Sequence, residues 1–180
     1  DRKVVISLLF NNLEIDMEEN RFDFVFDDGG RGNHFKSKKV GDCVTRAVAI
    51  ATEIEYKIVY DFFSRFNEKN GHTKSARNGV GWYGEGKKSK FRITMNELGF
   101  DWIPLMKFGQ GCTHHLLRNE LESFGNNFIA KVSGHLVAVV DLKIHDTYDC
   151  SREGTRCVYG VYKKNDNWNR QDTKTFMLNY

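Results

Sequence analysis

The strongest constraint on this 180-residue chain lies in its C-terminal third. Phe128–Val132, His135–Val140, Lys143–Asp146 and Val158–Tyr162 are rich in β-branched and aromatic residues. The first three runs are separated only by Ser133-Gly134 and Asp141-Leu142. Gaps that short favour tight hairpins, so consecutive strands run antiparallel.

Ahead of these strands the apolar period becomes helical. Val44, Ala47, Val48 and Ala51 recur at i, i+3, i+4 and i+7. They form one buried face of a helix that opens at Asp42-Cys43, with Asp42 as its N-cap. A second helix spans about 55–69, turns Tyr56, Val59, Tyr60 and Phe63 inward, and stops near Gly71. A third lies near 89–98 and ends at Gly99, and a fourth runs from about His114 to Phe124 between Thr113 and Gly125. The stretch from Gly71 to Lys88 reads as loop. Upstream, Phe22, Phe24 and Phe26 alternate in a strand that ends at Asp27-Asp28-Gly29-Gly30, and a polar, Gly-rich loop leads on to Gly41. Helices first and an antiparallel sheet second predict an α+β fold, with N-terminal helices packed on a C-terminal antiparallel sheet. Residues 1–180 form one domain on this reading, with 1–32 as an N-terminal β extension.

Composition narrows the function classes. Hydrophobic residues are 40% and aromatics 13%, enough for a sizeable core. The net charge of +3 is too mild to suggest nucleic acid as a partner. Lys36, Lys38 and Lys39, and the pair Lys87-Lys88, read as solvated loop lysines. No apolar run approaches the roughly 20 residues of a membrane span. Asp1–Phe10 has a short apolar run without a small-residue cleavage site, and reads as a strand or short helix rather than a signal peptide.

Cys43, Cys112, Cys150 and Cys157 are irregularly spaced. They are not a disulfide scaffold, and they point to a reducing cytosol. Zinc on Cys112, His114, His115 and Cys150 is disfavoured, because neither a CxxC pair nor HExxH is present. No metal and no cofactor is expected.

One cysteine is different. Thiolate is the reactive form, and the first turn of a helix lowers a thiol pKa through free N–H groups and the positive end of the dipole. Cys43 stands at such a turn. The base is His135, at the start of a strand and hence at the sheet rim. Asp146 lies five residues beyond the Asp141 turn and His135 six before it, so the hairpin sets them side by side. Asp146 can then hold the imidazole in the useful tautomer. Asp149 is the fallback, while His145 faces the opposite side of its strand. Cys112, Cys150 and Cys157 read as small buried apolar residues.

Gly41-Asp42-Cys43-Val44-Thr45-Arg46-Ala47, Gly134-His135-Leu136 and Ile144-His145-Asp146 together resemble the papain-like cysteine peptidase superfamily. The variety most similar is the bacteriocin-processing one, in which Asp-Cys opens the helix and His and Asp lie on successive strands. The chain is also similar to small uncharacterised proteins of phages and mobile elements, over roughly 38–162. The segments that carry this likeness include 75–80, 111–113, 144–149 and 154–160. The resemblance implies a papain-like fold and hydrolysis of a peptide, isopeptide or related amide through a Cys43–His135–Asp146 triad and a thioester. It implies a polypeptide or amide substrate and, for a phage-encoded protein, the host cytoplasm. Papain-like enzymes usually carry a Gln shortly before the Cys, and Phe35–Val40 has none. The Cys43 N–H can supply one oxyanion donor, with Ser37, Asn33 or His34 as candidates for the second.

Arg77, Asn78 and Trp82, in the Gly-rich loop, are candidate substrate-binding residues, with Tyr83 beside them. His114 and His115 can alternatively mark an anion site at a helix N-terminus. Two other functions suit the same residues. One is acyl transfer of the transglutaminase or arylamine acetyltransferase kind. The other is a catalytically degenerate binding protein, such as a phage-encoded inhibitor of a host system. The oligomeric state is not legible.

Overall fold

The computed structural model describes residues 18–37, 40–72, 75–107 and 109–180. The strand or helix expected over Asp1–Phe10, most of the 1–32 extension, Lys38 and Lys39 lie outside the described residues.

The strands are β1 (Asp23–Phe26), β2 (Phe100–Pro104), β3 (Asn127–Val132), β4 (His135–Val140), β5 (Lys143–Asp146) and β6 (Val158–Lys164). The helices are α1 (Cys43–Thr52), α2 (Tyr56–Lys69), α3 (Lys90–Glu97), α4 (Arg118–Leu121) and α5 (Arg170–Asn179). The strands form one sheet in the order β1-β5-β4-β3-β6-β2.

The expected order of elements is overturned. Helices and strands interleave along the chain: β1 precedes α1, β2 separates α3 from α4, and α5 follows β6. There is no N-terminal helical lobe set on a C-terminal sheet. Nor is the sheet wholly antiparallel, because β1 runs parallel to β5. The two strands that break the expected order are the sheet edges. Edge strands tolerate proline, and Pro104 ends β2.

The central hairpins follow from local chemistry. Asp141 and Leu142 both have positive φ, 50° and 56°, as a type I′ turn requires. Gly134 takes φ 67° in the turn between β3 and β4. Alternation along β3 and β4 then splits the core into two layers. Ile129, Leu136 and Ala138 face α1, α2, α3 and α5. Phe128, Ala130, Val137, Val139 and Ile144 face Leu116, Leu121 and Phe22 on the other side. Phe22 is buried, but Phe24 and Phe26 on the same strand face are exposed.

Helix α1 lies against β4 because its inward face is small. Ala47, Ala49 and Ala51 are buried beside Val44 and Val48. It stops at Glu53 in the left-handed region. Helix α2 buries Tyr56, Val59, Phe62, Phe63 and Phe66. The Ser89 hydroxyl caps α3 by accepting from the Arg92 N–H. The long helix expected from His114 shrinks to Arg118–Leu121 and a 3-10 turn, Glu122–Phe124. His114 and His115 precede it in extended chain, so they stand at no helix N-terminus. Among the described residues, no helix is long and apolar enough to cross a membrane.

Candidate functional site

Cys43 begins α1 where the helix N-terminus meets the rim of the sheet, and it is half-buried. The His135 ring and the Leu136 N–H both act on its sulfur. Burial alone pushes the thiol up. The His135 ring, the Leu136 N–H and the charge of Arg46 outweigh burial and hold the thiol below its ordinary pKa.

His135 opens β4 and is 7% exposed. Its Nε2 donates to Asp146 Oδ2 at 2.5 Å. The β4–β5 register pairs Ala138 with His145 and Val139 with Ile144. Continued by one step, it sets Asp146 across from Val137, on the strand face that also carries His135. Asp146 is itself buried, and its second oxygen, Oδ1, accepts from the Thr147 N–H at 2.7 Å and from Arg46 at 3.0 Å. Strand β1 pins the same spot: Phe26 pairs with Asp146, and the Asp27 N–H donates to the Asp146 carbonyl at 2.8 Å.

Burial opposes charge on His135, yet the Asp146 carboxylate, followed by Cys150 and Cys43, raises it well above the usual imidazole range. Burial likewise opposes charge on Asp146, but His135, Thr147 and Arg46 keep it below the usual carboxylate range. Each of the three shifts favours the charged form of its own group.

Sequence reasoning missed what stands behind this group. Asp42 makes no side-chain cap on α1. Its carboxylate is buried and turned to Arg46, to the Tyr56 hydroxyl at 2.6 Å and to Arg31 at 3.7 Å. Arg46 therefore joins Asp42 to Asp146 inside the protein. The i, i+4 spacing of Asp42 and Arg46 was the available signal. The link to Asp146 was not, because it spans 100 positions.

Cys150 also reaches the His135 ring. One ligand atom from each of His135, Asp146 and Cys150 lies within 4.8 Å of the others, and all three residues are buried. Such an N, O and S donor set can coordinate a ligand or a zinc-type metal. The zinc candidates named from sequence do not assemble. Cys112 is disulfide-bonded to Cys157, and His115 Nδ1 is 3.3 Å from Glu120. The disulfide corrects the reading of Cys112 and Cys157 as buried apolar residues, and Cys112 is exposed. The pairing comes from the contact of His115 with Cys157, which joins segments 45 positions apart at the cysteines. An acid beside His115 also removes the case for an anion site there.

The remaining candidates scatter. Asp149 accepts from the Ser151 N–H at 2.8 Å, closing a turn rather than orienting His135. His145 faces Asp27 at 3.1 Å. Asn33 is exposed, and Ser37 lines a cleft of about 440 Å3 with Arg31, Phe35 and Thr147. Neither makes a hydrogen bond to the thiol. The Arg77 carbonyl accepts from the Gly41 N–H at 2.9 Å, so this loop braces the approach to Cys43 through its backbone. Asn78 is exposed there. Buried Asn67 holds the next stretch, donating to the Gly79 carbonyl and accepting from the Gly81 N–H and the Tyr83 hydroxyl. Trp82 packs edge-on against Phe91, with ring centres 4.9 Å apart.

No family model, no curated protein and no solved structure matches this chain.

Proposed function

We propose that this protein is a cysteine hydrolase acting on a peptide, isopeptide or related amide. The observation that carries the reading is a buried imidazole held on one side by Asp146, at the rim where α1 brings Cys43 and where the ring lowers the thiol. The Cys43 thiolate attacks the amide carbonyl and forms a C–S bond. The imidazolium of His135 gives its proton to the leaving nitrogen as the C–N bond breaks, which leaves a thioester. Water then adds to the thioester with His135 as base, the acid departs, and the thiolate–imidazolium pair returns. Asp146 keeps the ring oriented throughout. Because Asp42 is turned away from the first turn of α1, the N–H groups there stay available to a developing oxyanion. An amine in place of water gives acyl transfer with the same residues, and mass spectrometry after incubation with amine donors separates the two outcomes.

The reading is testable before a substrate is known. Iodoacetamide should alkylate Cys43 faster at neutral pH than it alkylates a small free thiol, and Asp146→Asn should slow the reaction. A rate no greater than that of the free thiol would overturn the assignment. Once an amide substrate is in hand, Cys43→Ala should lower turnover by at least about a thousandfold.

The donor set of His135, Asp146 and Cys150 supports a second reading, in which the site binds a metal and does not react. Stoichiometric zinc binding that is lost in Cys150→Ala but kept in Cys43→Ala favours it.

A further inference from the structure

A recess on the same face of the sheet as the thiol carries its own chemistry. Lys131 on β3 pairs with Leu136 on β4, and Leu136 packs in the core layer that Cys43 borders. The Lys131 ammonium therefore shares this side of the sheet with the thiol, and its charge is felt at Cys43. It stands 4.9 Å from the centre of the Trp82 ring. Lys131 and Trp82 form part of the lining of a recess of about 270 Å3, completed by Arg92, Trp102 and Tyr159. Arg92 lies 4.6 Å from the Trp102 ring, with its Nε buried and unsatisfied.

Two cations thus rest on two indole faces in one small space. Among the described residues neither is ion-paired to a carboxylate. The carboxylate in the lining is Glu85, which is exposed. Ring faces compensate half-buried cations only in part, and an incoming carboxylate supplies a stronger partner. The recess shares Arg92, Trp102 and Tyr159 with a cleft of about 960 Å3 that runs toward Pro104 and Met106.

We propose that the recess walled by Trp82 and Trp102 is a substrate subsite, in which Lys131 and Arg92 bind a carboxylate carried by the substrate near its scissile amide. The inference rests on Cys43 being the nucleophile, and it adds the substrate class: acidic acyl or amine portions, with the carboxylate from a side chain or a chain end. Trp82 is then a specificity residue.

Two pairs of electrophiles test it on the intact chain. N-acetyl-aspartyl and N-acetyl-asparaginyl chloromethyl ketone differ in a side-chain carboxylate. Chloroacetyl-glycine and its amide differ in a terminal one. The acidic member of at least one pair should alkylate Cys43 about tenfold faster than its neutral mate, once each ratio is divided by that of a free thiol. The responding pair identifies the source of the carboxylate. Lys131→Met and Arg92→Gln should each shrink the ratio of acidic to neutral rates, and Lys131→Arg should restore it. Normalised ratios near one in both pairs, or ratios unchanged in both variants, overturn the subsite and leave the nucleophile standing. Neutral reagents that react no faster than with a free thiol overturn the nucleophile, and the subsite falls with it.

Discussion

Arg46 is 5% exposed and lies between Asp42 and Asp146, two buried carboxylates that would repel without it. Removing one partner of such a set strands the others in low dielectric, at a cost of about 3–5 kcal/mol. Its charge also favours the Cys43 thiolate. These effects make the pH dependence specific. The Cys43 thiol is held low, so alkylation should stay level from alkaline to neutral pH and fall only once the pH drops below its depressed pKa. Arg46→Met should shift that acid limb toward higher pH as well as lower the melting temperature. His135 is raised, so its contribution to stability is complete below roughly 6.5, the unfolded value, and is lost as pH climbs through the folded one. Asp146 is lowered, so its contribution is complete above roughly 3.9 and is lost as pH falls through its folded value. The lowered Cys43 thiol offsets the His135 contribution between about 6.5 and 8.5, so stability should stay level there and decline only at more alkaline pH. A His135→Phe variant that declines equally would remove His135 as the cause.

At the level of elements, the site depends on where strands stop. β4 begins at His135 and β5 ends at Asp146, so both side chains sit at the rim that α1 approaches with Cys43. The N-terminal strand β1 secures the end of β5 from the far side. At the other end of the sheet, β6 makes room for the recess. A Cβ on Gly160 would run into the Trp102 ring and come within 2.7 Å of the Ile103 carbonyl oxygen. Gly160 pairs with Pro104 on one side and Lys131 on the other, so a shift there would disturb β2 and the subsite together. Gly160→Ala should destabilise the fold by about 1–3 kcal/mol, measured by denaturant melting, with a smaller preference for acidic electrophiles. Iodoacetamide reactivity of Cys43 should change less, because β3 stands between β6 and β4.

Across the whole molecule, the sheet is covered on both faces and the Cys112–Cys157 disulfide holds the outer segment before α4 to β6. Closing a loop of this length removes up to about 4 kcal/mol of unfolded-state entropy, so reduction should lower the melting temperature by up to ~10 °C. Under denaturing, non-reducing conditions the thiol count should be two, Cys43 and Cys150. A count of four would exclude the bridge. The sequence by itself determined the local features. The two-residue gaps dictated the β3–β4–β5 hairpins, the apolar period marked α1 and α2, and turn arithmetic brought His135 to Asp146. Each of these depends on neighbours within about a dozen positions. Only the tertiary structure decided the edge strands, the parallel β1–β5 pairing, the disulfide, the Arg46 link between two carboxylates and the cationic recess of Lys131 and Arg92. These come from contacts between distant segments, whose partners are chosen by burial and charge compensation once the sheet has formed. No local period or spacing records that choice.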